Sequence, residues 1–218
     1  MNLIELLDHM GDDLAVVNAA RVSMHKESLT LCADDEKLIR YLAKHNHWTP
    51  FAQVQFKFRI SMPIFVARQY FRHQVGLLRN ETSRRYVDNP PEFWNPNGAW
   101  RGRAENVKQG SGDLLQEEVC DDATRLYWEA VAVCSENYRA MLDIGVCPEQ
   151  ARAVLPQSMM TEFIETGSLA AYARIYGLRT DPHAQKEIQD YALAIGEHIE
   201  KIVPVSWAAL TGGKDTCK

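Results

Sequence analysis

From Gln53 to Ser61 apolar and polar residues alternate without a break, with Val54, Phe56, Phe58 and Ile60 on one side and Gln53, Gln55, Lys57 and Arg59 on the other. Successive side chains of a strand point to opposite faces, so this stretch reads as a half-buried β-strand. Pro63 suits the first turn of a following helix, in which Ile64, Ala67, Tyr70 and Phe71 pack against the sheet. Helical periodicity also predicts a helix capped by Asp12, with Leu14, Val17 and Arg21 on one side. A second runs from Asp34 to about His45, carries Leu38, Tyr41 and Leu42 as its stripe, and stops at Asn46. Downstream, helices are expected from about Asp113 to Leu142 with Gly145 as a stop, from Pro148 to near Pro156, and from an Asp181-Pro182 cap to about Val203. The 218 residues, 46% of them hydrophobic, suffice for one core, and no repeat, low-complexity tract or linker divides them. The expected fold is therefore α/β (α+β): a half-buried antiparallel sheet packed with several long helices in a single domain spanning 1–218.

Charge and cysteine usage restrict the function. With 24 basic against 29 acidic residues the formal net charge is −5, which argues against a protein that coats DNA, RNA or an anionic membrane. Any anion site must then be local. Five cysteines, Cys32, Cys120, Cys134, Cys147 and Cys217, are an odd number without CxxC spacing and fit a reducing, cytoplasmic setting. The N-terminal stretch lacks a basic region followed by a long apolar run, and no segment reaches ~20 uninterrupted apolar residues, so neither a signal peptide nor a membrane span is expected.

Six arginines (72, 79, 84, 85, 101 and 103) crowd the stretch from Arg72 to Arg103. Guanidinium groups offer planar, permanently charged donors that suit phosphate. Asn80, Glu81, Ser83 and Tyr86 lie among them, a mixture that fits a phosphorylated polar metabolite such as a nucleotide, although a basic surface loop has the same composition. Gln69, Arg72 and His73 are related by i, i+3 and i+4 and share a helix face. The stretch at about 74–112, broken by Asn89-Pro90-Pro91, Asn95-Pro96-Asn97-Gly98 and Gly110-Ser111-Gly112, reads as a long irregular loop.

The run Arg72-His73-Gln74-Val75-Gly76-Leu77-Leu78-Arg79-Asn80-Glu81-Thr82-Ser83-Arg84-Arg85-Tyr86 resembles the signature of the flavin-dependent thymidylate synthases, in which an Arg-His-Arg triplet precedes Asn-Glu, Ser and Arg-Tyr. Asn18–Ser23, His47–Phe51, Pro63–Gln69, Ala151–Pro156 and Leu178–Gln185 are similar to further blocks of that family, in the same order. The resemblance implies a homotetramer of α/β subunits with active sites at subunit interfaces. It also implies FAD as cofactor, dUMP as substrate, and 5,10-methylene-tetrahydrofolate and NADPH as co-substrates. By matching position, Gln69, Arg72, Glu81, Ser83, Arg84, Arg85 and Arg152 hold dUMP, and Arg179 stabilises negative charge developing on the pyrimidine. Ser23, His47, Thr49, Arg72, His73, Gln74 and Arg174 face FAD. Classical thymidylate synthases use a cysteine nucleophile, whereas no cysteine lies in the matched substrate blocks. Cys147 reads as structural, and Ser83, without a His-Asp relay, reads as a binding group.

The chain departs from the family pattern in several places. Its triplet is Arg-His-Gln, its spacer from Gln74 to Asn80 is one residue longer, and Ala52 stands where a glutamate is common. Ser168, Ala170 and Arg174 stand where Asn, Arg and Asn are common. These departures keep open a sister enzyme that makes another C5-modified pyrimidine, by hydroxymethyl transfer or from dCMP. A non-catalytic nucleotide- or RNA-binding module is the reading from a different class, and acidic net charge together with the distant Arg152 and Arg179 argue against it. His45 and His47 have no HExxH motif or third ligand at useful spacing, so no metal is expected. Gly110-Ser111-Gly112 lacks the Lys-Ser/Thr of a phosphate loop, and Trp94 and Trp100 suit either loop packing or base stacking.

Overall fold

In the computed structural model, which describes residues 3–87, 89–104 and 110–212, the alternating stretch forms the strand Gln55–Pro63 (β2), and Val54, Phe56, Phe58 and Ile60 are fully buried while Lys57 and Arg59 are exposed. Cys217 lies outside the described residues. The chain divides into two compact units. One comprises Met1–Ile60, Arg72–Asn80 and Ile164–Lys218; the other comprises Ser61–Phe71 and Glu81–Phe163.

The sheet has four strands, drawn largely from residues of the first unit. Its strands are Ile4–Met10 (β1), β2, Leu77–Glu81 (β3) and Met160–Ser168 (β4), in the order β1-β2-β4-β3. β1 runs antiparallel to β2, pairing Ile4 with Ile60 and Leu6 with Phe58, and its register slips between Leu6 and Asp8. The expected helices follow: Asp13–Arg21 (α1), whose amide at Ala15 donates to Asp12 at 3.0 Å, and Ala33–Lys44 (α2). Val16, Val17, Ile39 and Leu42 are their buried apolar residues. Leu169–Arg179 (α6), Lys186–Glu200 (α7) and Pro204–Thr211 (α8) complete the unit; α2 packs on α8, and α6 on α7.

The second unit contains Ile64–Tyr70 (α3), Glu117–Asp143 (α4) and Pro148–Ala151 (α5), the last continued by a 3-10 turn over Arg152–Val154. Phe163 packs against Tyr70 and Phe71 at ring-centroid distances of 6.0 and 4.9 Å. Trp94 and Trp100 form an aromatic cluster with Phe65 and Tyr127; Trp100 donates to Thr124 Oγ1 at 2.9 Å, and Tyr127 donates to the Trp94 carbonyl. Both tryptophans are therefore packing residues of the irregular stretch.

The α+β class holds, and three of the expected stretches differ in detail. A strand, β3, runs through the stretch expected to be wholly irregular. The helix expected from Asp113 begins at Glu117. Asp181 caps a turn, accepting from the His183 amide at 2.8 Å, instead of opening a helix; α7 starts at Lys186 and α8 follows it. Among the described residues no helix is long and apolar enough to cross a membrane.

Candidate active site

In the first unit the segment after Arg72 turns tightly before entering β3. The Leu77 amide donates to the Gln74 carbonyl at 3.1 Å, and the Ser168 amide donates to the Gly76 carbonyl at 3.0 Å. Gly76 has a φ of +78°, and a Cβ there would stand 3.0 Å from Ser168 Oγ and 3.1 Å from Ala171 Cβ. Glycine alone meets both demands without strain.

This turn presents His73 to a group of charges. Arg79, on β3, donates from Nη1 to the His73 carbonyl at 2.6 Å, and its Nε pairs with Glu165 of β4, whose side chain is fully buried. Arg179, the last residue of α6, donates from Nε to His73 Nε2 at 2.9 Å. The guanidinium Nε always carries its hydrogen, so His73 Nε2 is the acceptor and the single ring proton belongs on Nδ1. Burial, followed by the positive charges of Arg179, Arg174 and Arg79, pulls the His73 pKa down to about 4. His73 is thus neutral at physiological pH. Burial, then Arg72, lowers the Arg179 pKa, yet a guanidinium keeps its charge at neutral pH. Tyr172 is buried on α6, and burial, then the Glu165 charge, raises its pKa well above the ordinary phenol value.

Two concavities lie in the same unit. One, of about 370 Å³, is lined by Ser23, His47, Thr49 and Leu42; the other, of about 310 Å³, by His47, Leu42, Phe51, Ala170 and Arg174. His47 and Leu42 belong to both. Each is lined by apolar side chains together with a few hydrogen-bonding groups, a mixture that suits a large aromatic ligand with polar substituents. The guanidinium of Arg174 is held by the Val75 carbonyl at 2.6 Å. His45 lies against Tyr41 with ring centroids 4.4 Å apart and planes tilted by 44°, and among the described residues no group of three or more His, Cys, Asp or Glu side chains could hold a metal ion. The structure therefore brings Ser23, His47, Thr49 and Arg174 to these concavities, and His73 and Arg179 to each other. Gln74 is exposed beside them on the turn.

In the second unit Gln69 lies half-buried in the last turn of α3, and Glu81 accepts from Thr161 Oγ1 at 2.6 Å. Ser83 Oγ accepts from the Arg85 amide at 3.4 Å and from Arg85 Nε at 3.3 Å. Arg85 also lies over the Tyr86 ring at 4.9 Å, and Arg84 donates to the Asn89 carbonyl. Arg152, exposed, donates to the Glu149 carbonyl at 3.2 Å and so is held on its own helix. Sequence reasoning missed Glu165 as a partner of this chemistry. Its one signal was a carboxylate inside an otherwise apolar or neutral stretch, Phe163–Ser168.

The chain matches the family described as "Thymidylate synthase complementing protein" over residues 5–205. It is 44% identical to the flavin-dependent thymidylate synthase of Thermus thermophilus over 207 residues, covering 94% of this chain and 74% of the relative. It is 39% identical to that of Kosmotoga olearia over 206 residues, covering 94% and 88%. Among solved structures, the UMP/dUMP methylase PolB from Streptomyces cacaoi, bound with 5-Br dUMP, superposes with a TM-score of 0.86 at 30% identity, covering 96% of this chain and 94% of that one.

Proposed function

The chain belongs to the flavin-dependent thymidylate synthases, and from that premise we propose that it converts dUMP to dTMP with 5,10-methylene-tetrahydrofolate as carbon donor and NADPH as reductant. The observation that carries the reading is the match over residues 5–205, which takes in every proposed site residue. FAD, once reduced by NADPH, would supply the hydride that a methylene-level carbon needs to become methyl, which no side chain can donate. Ser23, His47, Thr49, Arg72, His73, Gln74 and Arg174 would hold it, in keeping with the concavities that four of them line.

The remaining roles fall to arginines and to polar side chains beside them. Arg72, Arg84, Arg85 and Arg152 bind the nucleotide phosphate, and Gln69, Glu81 and Ser83 bind sugar and base. Arg179 stands against the pyrimidine, where a permanent cation stabilises negative charge as it develops on the ring. The subunits form a homotetramer with shared active sites, in the cytoplasm.

The test is the visible spectrum of purified protein before and after dUMP, coupled to product analysis. A flavin spectrum that dUMP perturbs, together with dTMP formation, is expected. Colourless protein that takes up no flavin on titration would sink the reading. The similarity to a methylase of both UMP and dUMP makes UMP the competing substrate. Relative kcat/KM on the two nucleotides separates them, and a preference for UMP would reassign the product.

A further inference from the structure

Resting on the reading of Arg179 as the group against the pyrimidine, we infer that His73 is a positioning residue for Arg179, held in place by the buried Arg79–Glu165 pair. Arg179 ends α6, and its side chain has several rotatable bonds whose freedom must be removed before its charge can be aimed. The contact from Arg179 Nε–H to His73 Nε2 does this. A hold through Nε fixes the guanidinium plane, and hence the direction of the terminal nitrogens. His73 in turn is anchored by its main chain, where Arg79 Nη1 donates to its carbonyl while Arg79 Nε is tied to Glu165. The chain of support runs from β4 through β3 to the turn at His73 and on to the end of α6, all within one unit.

The charges around the ring explain why a histidine can serve as acceptor. Arg174 and Arg179 face it from α6 and Arg79 from β3, Arg72 precedes it, and Glu165 supplies the buried negative charge. Three of these cations favour the neutral ring, so Nε2 keeps its lone pair. A protonated ring would set one N–H against another and abolish the hold. A lysine in place of His73 would do the same, whereas a glutamine still offers an acceptor oxygen.

The experiment is a double-mutant cycle on FAD-saturated enzyme, with His73→Leu and His73→Gln each made alone and in an Arg179→Ala background. Flavin loading is checked by absorbance and dUMP affinity by calorimetry. His73→Leu should lower kcat about 10–100-fold with a smaller change in dUMP KM, since misaiming a group acts mainly on the transition state. His73→Gln should recover part of that loss. In the Arg179→Ala background both changes should cost less than about 2-fold. Equal losses in the two backgrounds, or no recovery by glutamine, would overturn the inference while leaving the proposed reaction intact. Failure of the unaltered enzyme to bind or convert dUMP would overturn the reaction itself, and the inference with it.

Discussion

Gln74 replaces a triplet arginine, and two nearby cations are candidates to make up the lost charge. Arg79 is committed elsewhere, to Glu165 and the His73 carbonyl, and its side chain is only 13% exposed. Arg174 instead lines a concavity with His47. Arg174→Ala should therefore weaken FAD binding about 10–100-fold, the equivalent of a lost charge-assisted contact of roughly 1.5–3 kcal/mol. Gln74→Arg should leave affinity unchanged or lower it, because it adds a cation beside those already present. A tightening of FAD in Gln74→Arg on titration would show that no replacement has occurred. His73 gives a second expectation. Its folded pKa of about 4 lies below the ordinary 6.5, so between those values the unfolded chain binds more protons than the folded one. The corresponding stability is fully present above about pH 6.5 and is lost as pH falls towards 4. Urea unfolding between pH 7.5 and 4.5 should accordingly show a shallower loss in His73→Gln than in the unaltered protein, and parallel curves would contradict the assignment. His73 and the arginines from Arg72 to Arg85 could be proposed from the sequence because they lie together in one recognisable block. Glu165, more than eighty positions from Arg79, was not, because spacing along the chain carries no record of that pairing.

Elements were legible wherever period and burial agreed. β2 was readable since every alternate residue from Val54 to Ile60 is apolar and buried. β4 was missed because its buried face is Thr161, Phe163 and Glu165 while Ile164 points outward, so polar pairing has replaced the apolar alternation that marks a strand. β1 was missed because the slip between Leu6 and Asp8 breaks its period. α6 buries Leu169, Ala171, Tyr172, Ala173 and Ile175, and a helix apolar on most sides has no stripe to read. α8 owes its start to a residue almost two hundred positions away. Pro204 at its first turn has no N–H, and the next two donors, Val205 and Ser206, reach the buried carboxylate of Asp13 at 3.0 and 2.8 Å. Negative charge at a helix N-terminus meets both the dipole and the unsatisfied amides. Asp13→Ala should destabilise the fold by about 2–3 kcal/mol, and Asp13→Asn by less, since an amide oxygen still accepts. Denaturant midpoints measure both, and an Asp13→Ala change below ~0.5 kcal/mol would mean that water replaces the cap.

At the scale of the whole molecule, α4 is 27 residues long and buries only Cys120, Val131 and Tyr138. Val119, Leu126 and Val133, spaced seven apart and so on one face, are 48%, 58% and 56% exposed in the single chain. An apolar stripe of that length facing water favours association, which accords with the proposed homotetramer. The proposed dUMP groups divide in a way that tests the shared site. Ser83 belongs to the unit made of Ser61–Phe71 and Glu81–Phe163, whereas Arg179 belongs to the other. In the proposed assembly the two serve one active site from different chains. Arg179→Ala and Ser83→Ala homotetramers should each be nearly inactive. If the proteins are mixed under conditions that exchange subunits, some interfaces receive an intact Ser83 from one chain and an intact Arg179 from the other. In a randomly exchanged equal mixture, about a quarter of sites pair two intact contributions, so activity should return to roughly that fraction of normal under the isologous or ring geometries of closed homo-oligomers. Exchange is followed independently with differently tagged chains. Proven exchange with no recovered dTMP formation would mean that each site takes Ser83 and Arg179 from the same chain.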